Sequence, residues 1–347
     1  MTKARSYRRR FAAPGAVIAF SGALLGCTQF ADATARQTTV FPLSDWGTII
    51  QDLYSLIFLM SVVVFVGVEG FLLYTIIRYR RRREDEMPAQ VHGNTRLEVT
   101  WTVLPSIVLL IIAVPTIGAI FAQDAPPPVP SSDVVKLRVI GHQWWWEFEY
   151  PDLGVKTANE FHLPLGKTAT IELKSTDVVH SFWLPRMGGK VDVVPGARAN
   201  HMWFTPKETG EFYGQCVEFC GTQHANMKLR LFVDTPQGFA AWADSQRSPA
   251  VQPASGPAQQ GAELFQSSAC VGCHTVQGTA AQGKVGPDLT HVGSRGTIAA
   301  GMVDNTPENM RRWIQDPQAL KPGNLMPRLG LDDAQTQLLV AYLQSLQ

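Results

Sequence analysis

Two long stretches with almost no charge decide most of what this chain can fold into. Leu53 to Ile77 is apolar apart from Glu69, and Trp101 to Phe121 carries no charged residue. A hydrocarbon core of ~30 Å takes about 20 helical residues to cross, so each stretch is long enough. Inside lipid the backbone must satisfy its own hydrogen bonds, which makes both of them helices. Pro105 and Pro115 in the second stretch are tolerated in a membrane helix. Arg78, Arg80, Arg81, Arg82 and Arg83 crowd the end of the first stretch. Loops rich in Lys and Arg stay in the cytoplasm. The expectation is a transmembrane hairpin over 40–124, with spans at about 53–77 and 101–121 and everything after residue 122 outside the cytoplasm. Charged residues make up 17% of the 347, below the ~25% of soluble domains, as two membrane spans require. Glu69 is the costly residue of the first span, and no sequence partner for it is visible.

The opening "MTKARSYRRRFAAPGAVIAFSGALLGCTQ" has a basic start, a short apolar run and small residues near Gly26. That is the pattern of a signal peptide over 1–27, too short for a comfortable span. "LLGC" is similar to a lipobox, which would make Cys27 a lipidated first residue. Plain cleavage nearby and an uncleaved anchor remain the other two readings. Together with the hairpin, this places the chain in a bacterial inner membrane as a multi-pass protein with periplasmic domains. The net charge of +1 gives no electrostatic case for a nucleic-acid partner.

Beyond the spans, "APPPVPSSD" (125–133) is a stiff linker. Over 131–240 short alternating or β-branched runs such as "VVKLRVIG", "TATIEL" and "KLRLFV" are separated by Gly, Pro, Asn and Asp. Many short strands at regular spacing predict a β-sandwich or barrel. A segment rich in Pro, Ala, Ser and Gln predicts a flexible linker over 241–256. From 257 to 347 the pattern is helical. Thr306 is a candidate N-cap before Pro307, and Leu338, Leu339, Tyr342, Leu343 and Leu346 share one face. The class expected is a multidomain membrane protein: a two-helix hairpin, an all-β domain and an all-α domain.

The five cysteines are Cys27, Cys216, Cys220, Cys270 and Cys273. The last four form two close pairs with histidine beside them, which is metal or haem chemistry and not a disulfide framework. "CVGCH" is the attachment signature of c-type haem. The thiols of Cys270 and Cys273 add to the haem vinyl groups, and His274 offers its imidazole to the iron. A zinc or thiol-redox use of the same motif is the alternative. A methionine thioether is the usual sixth ligand of an electron carrier. Of Met302, Met310 and Met326, the last sits in the proline-bracketed "KPGNLMPRLG" and is the expected ligand. With "GPDLTHVGSR" between them, these motifs resemble a class I cytochrome c over 255–347, with one covalent haem c.

The earlier cluster, "GQCVEFCGTQHANMKLR", holds Cys216, Cys220, His224 and Met227. Thiolate and imidazole at this density bind zinc or copper, and the thioether favours copper. "DVVHSFWLP" brings His180. With "GHQWWWEFEY", "VDVVPGARAN" and "LEVTWTVLP", the stretch from about 40 to 235 resembles subunit II of cytochrome c oxidase. Joined to the haem motif, the chain resembles the fused subunit II of a caa3-type haem-copper oxidase.

That resemblance implies a cupredoxin-like domain with a dinuclear copper centre, CuA. It implies His180 and His224 as terminal ligands and Cys216 and Cys220 as bridging thiolates. Met227 and the Glu218 carbonyl complete the set, and the Glu218 carboxylate would reach a magnesium ion at the join with subunit I. It also implies Trp144 as the exposed aromatic that receives electrons, and Glu98 as the mouth of a proton path. The implied partners are subunit I, subunit III and a soluble or membrane-bound cytochrome c as donor. The implied activity is electron transfer toward subunit I, where oxygen is reduced to water with proton pumping. His92, His142, His162, His201 and His291 match no ligand position. Rival readings are a copper-delivery protein carrying a cytochrome, a quinol-oxidising subunit, which would lack the copper ligands, and another CuA module.

Overall fold

Ser44 starts the first membrane helix. Its hydroxyl accepts from the Gly47 backbone N–H at 2.9 Å, and Asp45 places negative charge in the first turn. The computed structural model describes residues 32–80, 87, 90 and 92–347. The expected leader with Cys27, and residues 81–83 of the basic loop, lie outside the described residues. Helix α1 spans Asp45–Arg78, and α2 spans Thr95–Asp124 behind Asn94, whose side chain accepts from Arg96 and Leu97 N–H. Both are long and apolar enough to cross a membrane, and both outrun the apolar cores read from sequence. The extra turns bind the helices to the domain above. Trp46 is buried against Gly188, where a Cβ would come within 2.5 Å of the indole. At the far end of α2, the Gln123 carbonyl accepts from Trp203 Nε1 at 3.0 Å.

The next domain contains β1 (Val134–His142), β2 (Trp145–Tyr150), β3 (Val155–Ala158), β4 (Glu160–Pro164) and β5 (Thr168–Ser175). It continues with β6 (His180–Trp183), β7 (Val191–Val193), β8 (Asn200–Phe204), β9 (Gly210–Cys216) and β10 (Lys228–Asp234). They form two five-stranded sheets in the orders β3-β2-β1-β5-β8 and β4-β10-β9-β6-β7. Buried and half-exposed residues alternate along β2, β9 and β10, as strands with one covered face require. Phe148, Phe161 and Phe182 fill the space between the sheets, the first pair stacked at 4.5 Å. Full burial of each such ring contributes roughly 1.5–3 kcal/mol.

The segment expected as a linker is partly helical. Thr235 caps α3 (Pro236–Arg247), with Pro236 in the first turn. The helix forms because Phe239 and Trp242 find partners: Trp242 lies 5.3 Å from the Tyr150 ring and stacks on His162 at 4.3 Å. Only 248–255 separate α3 from the next helix, and within them Ala250 is already buried in the following core.

That last domain is helical: α4 (Gly256–Ser267), the single turn α5 (Cys270–Cys273), α6 (Pro307–Gln315), α7 (Pro317–Leu320) and α8 (Asp333–Ser345). Thr306 caps α6, accepting from Asn309 N–H. α4 and α8 cross at Gly261, where a Cβ would lie 2.0 Å from the Leu338 carbonyl oxygen, so no side chain fits. Beside the crossing, Phe265 meets Tyr342 at 5.6 Å. Leu339, Tyr342, Leu343 and Leu346 are buried as the periodicity predicts, whereas Leu338 is half-buried and Val340 joins the core.

Candidate functional site

Strands β6 and β9 pair so that Phe182 lies opposite Cys216, which brings His180 to the end of β9. The chain then loops through 217–227 and returns as β10. Cys216 N–H donates to the Met227 carbonyl at 2.9 Å and closes the loop at its base. Inside it, the Cys216 and Cys220 sulfurs stand 3.7 Å apart. His180 Nδ1 is 3.9 Å from the Cys216 sulfur, and His224 Nδ1 is 3.6 Å from the Cys220 sulfur. Met227 Sδ lies 3.9 Å from Cys220 Sγ, and the Glu218 carbonyl oxygen 3.3 Å from Cys216 Sγ. All six predicted groups are thus brought together. Two sulfurs at this separation, an imidazole at each end and a buried thioether suit soft metal ions, copper above zinc.

The surrounding residues aim the ligands. His180 is fully buried, and its Nε2 donates to Asp177 at 2.8 Å, leaving the Nδ1 lone pair toward the sulfurs. Burial opposes charge on Asp177, but bonds from His180 and from the N–H groups of Val178 and Gln143 hold its pKa below the ordinary range. The hydrogen bond from Cys220 brings Cys216 down to about 3, while the same contact pushes Cys220 up. A metal binds both as thiolates, so binding releases whatever protons the pair holds. Asp177→Ala is expected to weaken copper binding by ~10–100-fold, the usual cost of losing such an orienting partner, and competition with a copper chelator measures it.

On the outer side Phe219 is 77% exposed, with its ring 5.9 Å from His224. The Glu218 carboxylate is half-exposed there, 3.8 Å from Lys190 Nζ. Glu98 is exposed in the first turn of α2 and accepts from Asn94 N–H at 3.2 Å. Glu69 points outward from α1.

A second cleft opens on the helical domain. Cys270, Cys273 and His274 line it with Met326, Met310 and Arg295; Met302 does not. His274 Nδ1 donates to the Pro287 carbonyl at 2.8 Å, so Nε2 keeps its lone pair for a metal. Burial lowers the pKa of this imidazole and keeps it neutral. Gly286 presses on the ring, where a Cβ would fall 2.5 Å from Cε1. Arg295 is a half-buried cation whose Nη2 donates to the Asp288 carbonyl at 2.5 Å and whose Nε finds no hydrogen-bond partner among the described residues. A flat group with acidic substituents, as haem is, fits both the cleft and that orphaned donor.

The two sites share a wall. Trp144 lines the second cleft, and its Nε1 donates to the Cys220 carbonyl at 3.0 Å. The expectation of an exposed aromatic needs correction here: Trp144 is only 9% exposed, packed against Gly221 of the copper loop and facing the cleft of the helical domain. Trp145 stacks on His142 at 4.1 Å, and Trp146 is core, 5.9 Å from the His180 ring. The domains join through buried groups. The Glu160 carboxylate accepts from Gly296 N–H at 2.9 Å and from the Thr297 hydroxyl. Lys228 N–H donates to the Ala300 carbonyl at 3.1 Å.

Three family models match successive parts of the chain. Residues 45–118 match the family "Cytochrome C oxidase subunit II, transmembrane domain", 153–233 match "Cytochrome C oxidase subunit II, periplasmic domain", and 258–347 match "Cytochrome c". Cytochrome c oxidase subunit 2 of Alkalihalophilus pseudofirmus is 41% identical over 299 residues, covering 84% of this chain and 86% of the relative. The chain belongs to the cytochrome c oxidase subunit II family. Subunit 2 of Bacillus subtilis is 34% identical over 330 residues, covering 89% of this chain and 92% of its own. Among solved structures, the periplasmic domain of subunit II from Bradyrhizobium japonicum aligns at 32% identity, with a TM-score of 0.32 over 35% of this chain and 96% of that one. As a subunit II, the chain is a membrane protein with extramembrane domains and works within an oxidase complex alongside subunit I. Its domain types imply copper and haem.

Sequence reasoning missed Asp177, Arg295 and Glu160. Asp177 opens the quoted "DVVHSFWLP" and could have been found as a carboxylate three residues before a ligand histidine. Arg295 closes the quoted "GPDLTHVGSR" and could have been found there, whereas Glu160 acts across the fold and leaves no local pattern.

Proposed function

We propose that this subunit II takes electrons at its cytochrome domain first and hands them through its copper domain to subunit I. The observation that carries the reading is Trp144, which lines the haem cleft and donates to the carbonyl of the copper-loop Cys220. The CuA pair and the haem supply the chemistry, each a one-electron couple. The chain supplies their hold. Cys270 and Cys273 would hold haem c through thioether bonds, and His274 and Met326 would offer their nitrogen and sulfur to its iron. Cys216 and Cys220, as thiolates, would hold the copper together with His180, His224, Met227 and the Glu218 carbonyl. The exposed Phe219 and the Glu218 carboxylate mark the face toward subunit I, where Glu218 takes a magnesium ion. Glu98 serves a proton path into that partner, and subunit III completes the complex. A cytochrome c on the periplasmic side of a bacterial inner membrane is the donor. Copper delivery fits less well, because Cys216, Cys220 and Met227 are all buried.

The purified protein should keep its haem after denaturation, since thioether bonds survive unfolding. Met326→Ala should leave the haem attached and remove the methionine-to-iron charge-transfer band. Met310 is the competing sulfur in the cleft, held by Gln344 Nε2 at 3.6 Å. Loss of the band in Met310→Ala and not in Met326→Ala would overturn the ligand assignment; haem that washes out would overturn the covalent reading.

A further inference from the structure

The loop that carries the copper ligands and the loop that carries Met326 press on each other. Gln223 Nε2, on the copper loop, donates to the Pro322 carbonyl. Thr222 faces Gly323, whose positive φ of 80° lets the chain turn there; a Cβ on it would meet Thr222 Cγ2 at 3.4 Å. Between the loops lies Lys321, only 3% exposed. Its Nζ donates to three carbonyls: Trp144 at 2.8 Å, Asn226 at 2.9 Å and Ala299 at 3.3 Å. Three acceptors around one nitrogen need three N–H donors, which the ammonium has and the neutral amine lacks. Burial opposes charge on Lys321, and the nearby Cys220 sulfur favours it. No carboxylate among the described residues forms an ion pair with it, although buried lysines normally have one.

A buried, unpaired ammonium is costly to the fold, so its place matters. Each carbonyl it holds belongs to a different part of the electron path. Trp144 is the shared wall, Asn226 precedes the copper ligand Met227, and Ala299 belongs to the haem domain.

We propose that Lys321 is a positioning residue for electron transfer within the chain: its ammonium clamps the haem ligand loop onto the copper ligand loop and Trp144, and its charge favours the reduced copper centre. The step it serves moves one electron, with the haem iron oxidised and the copper pair reduced, and no proton is transferred. The inference rests on the haem-then-copper reading above.

The test uses the full-length protein carrying both cofactors and its Lys321→Met variant, which keeps the length and apolar stem but removes the charge. Haem is reduced by a light-triggered ruthenium complex without oxygen, and electron arrival is followed at the copper absorbance. Copper reduction should slow by about tenfold or more, because small misplacements of redox or reacting groups are costly, while haem reduction keeps its rate. The copper midpoint potential should fall, a change that loosened packing alone does not produce. A protease should nick residues 248–255 about tenfold faster, since cleavage follows the population of the undocked form. Gln223→Ala breaks the loop contact without touching a buried charge, and it should show the slower transfer and faster nicking with an unchanged potential. If Lys321→Met fails to assemble, Lys321→Gln, which keeps an N–H donor group but no charge, is read in its place beside Gln223→Ala. Unchanged transfer and nicking in a variant that holds both cofactors would overturn the clamp. Wild-type protein in which light-reduced haem never reduces the copper would instead overturn the haem-then-copper reading.

Discussion

The Cys220→Ser chain is expected to lose its copper centre and keep its haem. Cys220 is the hub of the cluster, within 4 Å of the Cys216 sulfur, His224 Nδ1 and Met227 Sδ. Serine offers a hard oxygen in place of a soft bridging sulfur, so the other three ligands lose their common partner. The loss of affinity should exceed the ~10–100-fold typical of removing a group that only orients a ligand. The haem side is insulated because the cytochrome domain has its own core around Phe265, Tyr342 and Leu343. Metal analysis and electron paramagnetic resonance on the purified chain measure the effect. In the parent protein the unpaired electron should be shared between the coppers. A parent spectrum of a single copper, or one tightly bound zinc, would sink the dinuclear assignment.

Deleting residues 255–347 should leave the copper centre intact and slow its reduction by the natural donor. The copper domain keeps its own core between the two sheets, so the truncated chain has reason to fold. What it loses is a cytochrome held in place. Short tethers give effective concentrations of order mM, so against a donor at micromolar concentration the loss is ~10²–10³-fold. The docked geometry makes the effect larger than a loose tether would, since only 248–255 lie outside helices between the domains. A soluble cytochrome at high concentration should restore the rate by reaching the uncovered Trp144. Equal rates for truncated and full chains would mean the haem domain is not where electrons enter.

The parts of the site legible in the sequence are those that lie close together along it. Cys216, Cys220, His224 and Met227 share one loop, and Cys270, Cys273 and His274 one turn, so spacing alone exposes their chemistry. His180 lies 36 residues from Cys216 and is found only through family resemblance. The spans and the short strands were legible because hydrophobic length and period two are local properties. Helix α3 was not: its Pro- and Ser-rich surroundings read as linker, and it forms because Trp242 lands on Tyr150 and His162 far away in sequence. Trp144 is expected from the sequence to be an exposed aromatic that faces the tethered haem, and its burial depends on contacts far off in sequence. Lys321 between a leucine and a proline looks like any solvated lysine until three carbonyls converge on it.

The join through Glu160 carries a kinetic consequence. Its carboxylate is 4% exposed and is held by Gly296 and Thr297 of the cytochrome domain. Dissolved ions weaken attraction between solvent-facing charges beyond a Debye length of ≈ 8 Å at physiological strength, but they barely reach contacts sealed from water. A mobile carrier must find its orientation through those screened fields at every encounter, so its rate falls as salt is added. The internal handover has no encounter to screen. It is first order, the same at any protein concentration and in dilute or concentrated salt. Any ionic-strength dependence of turnover therefore belongs to the meeting between the outside donor and the cytochrome domain.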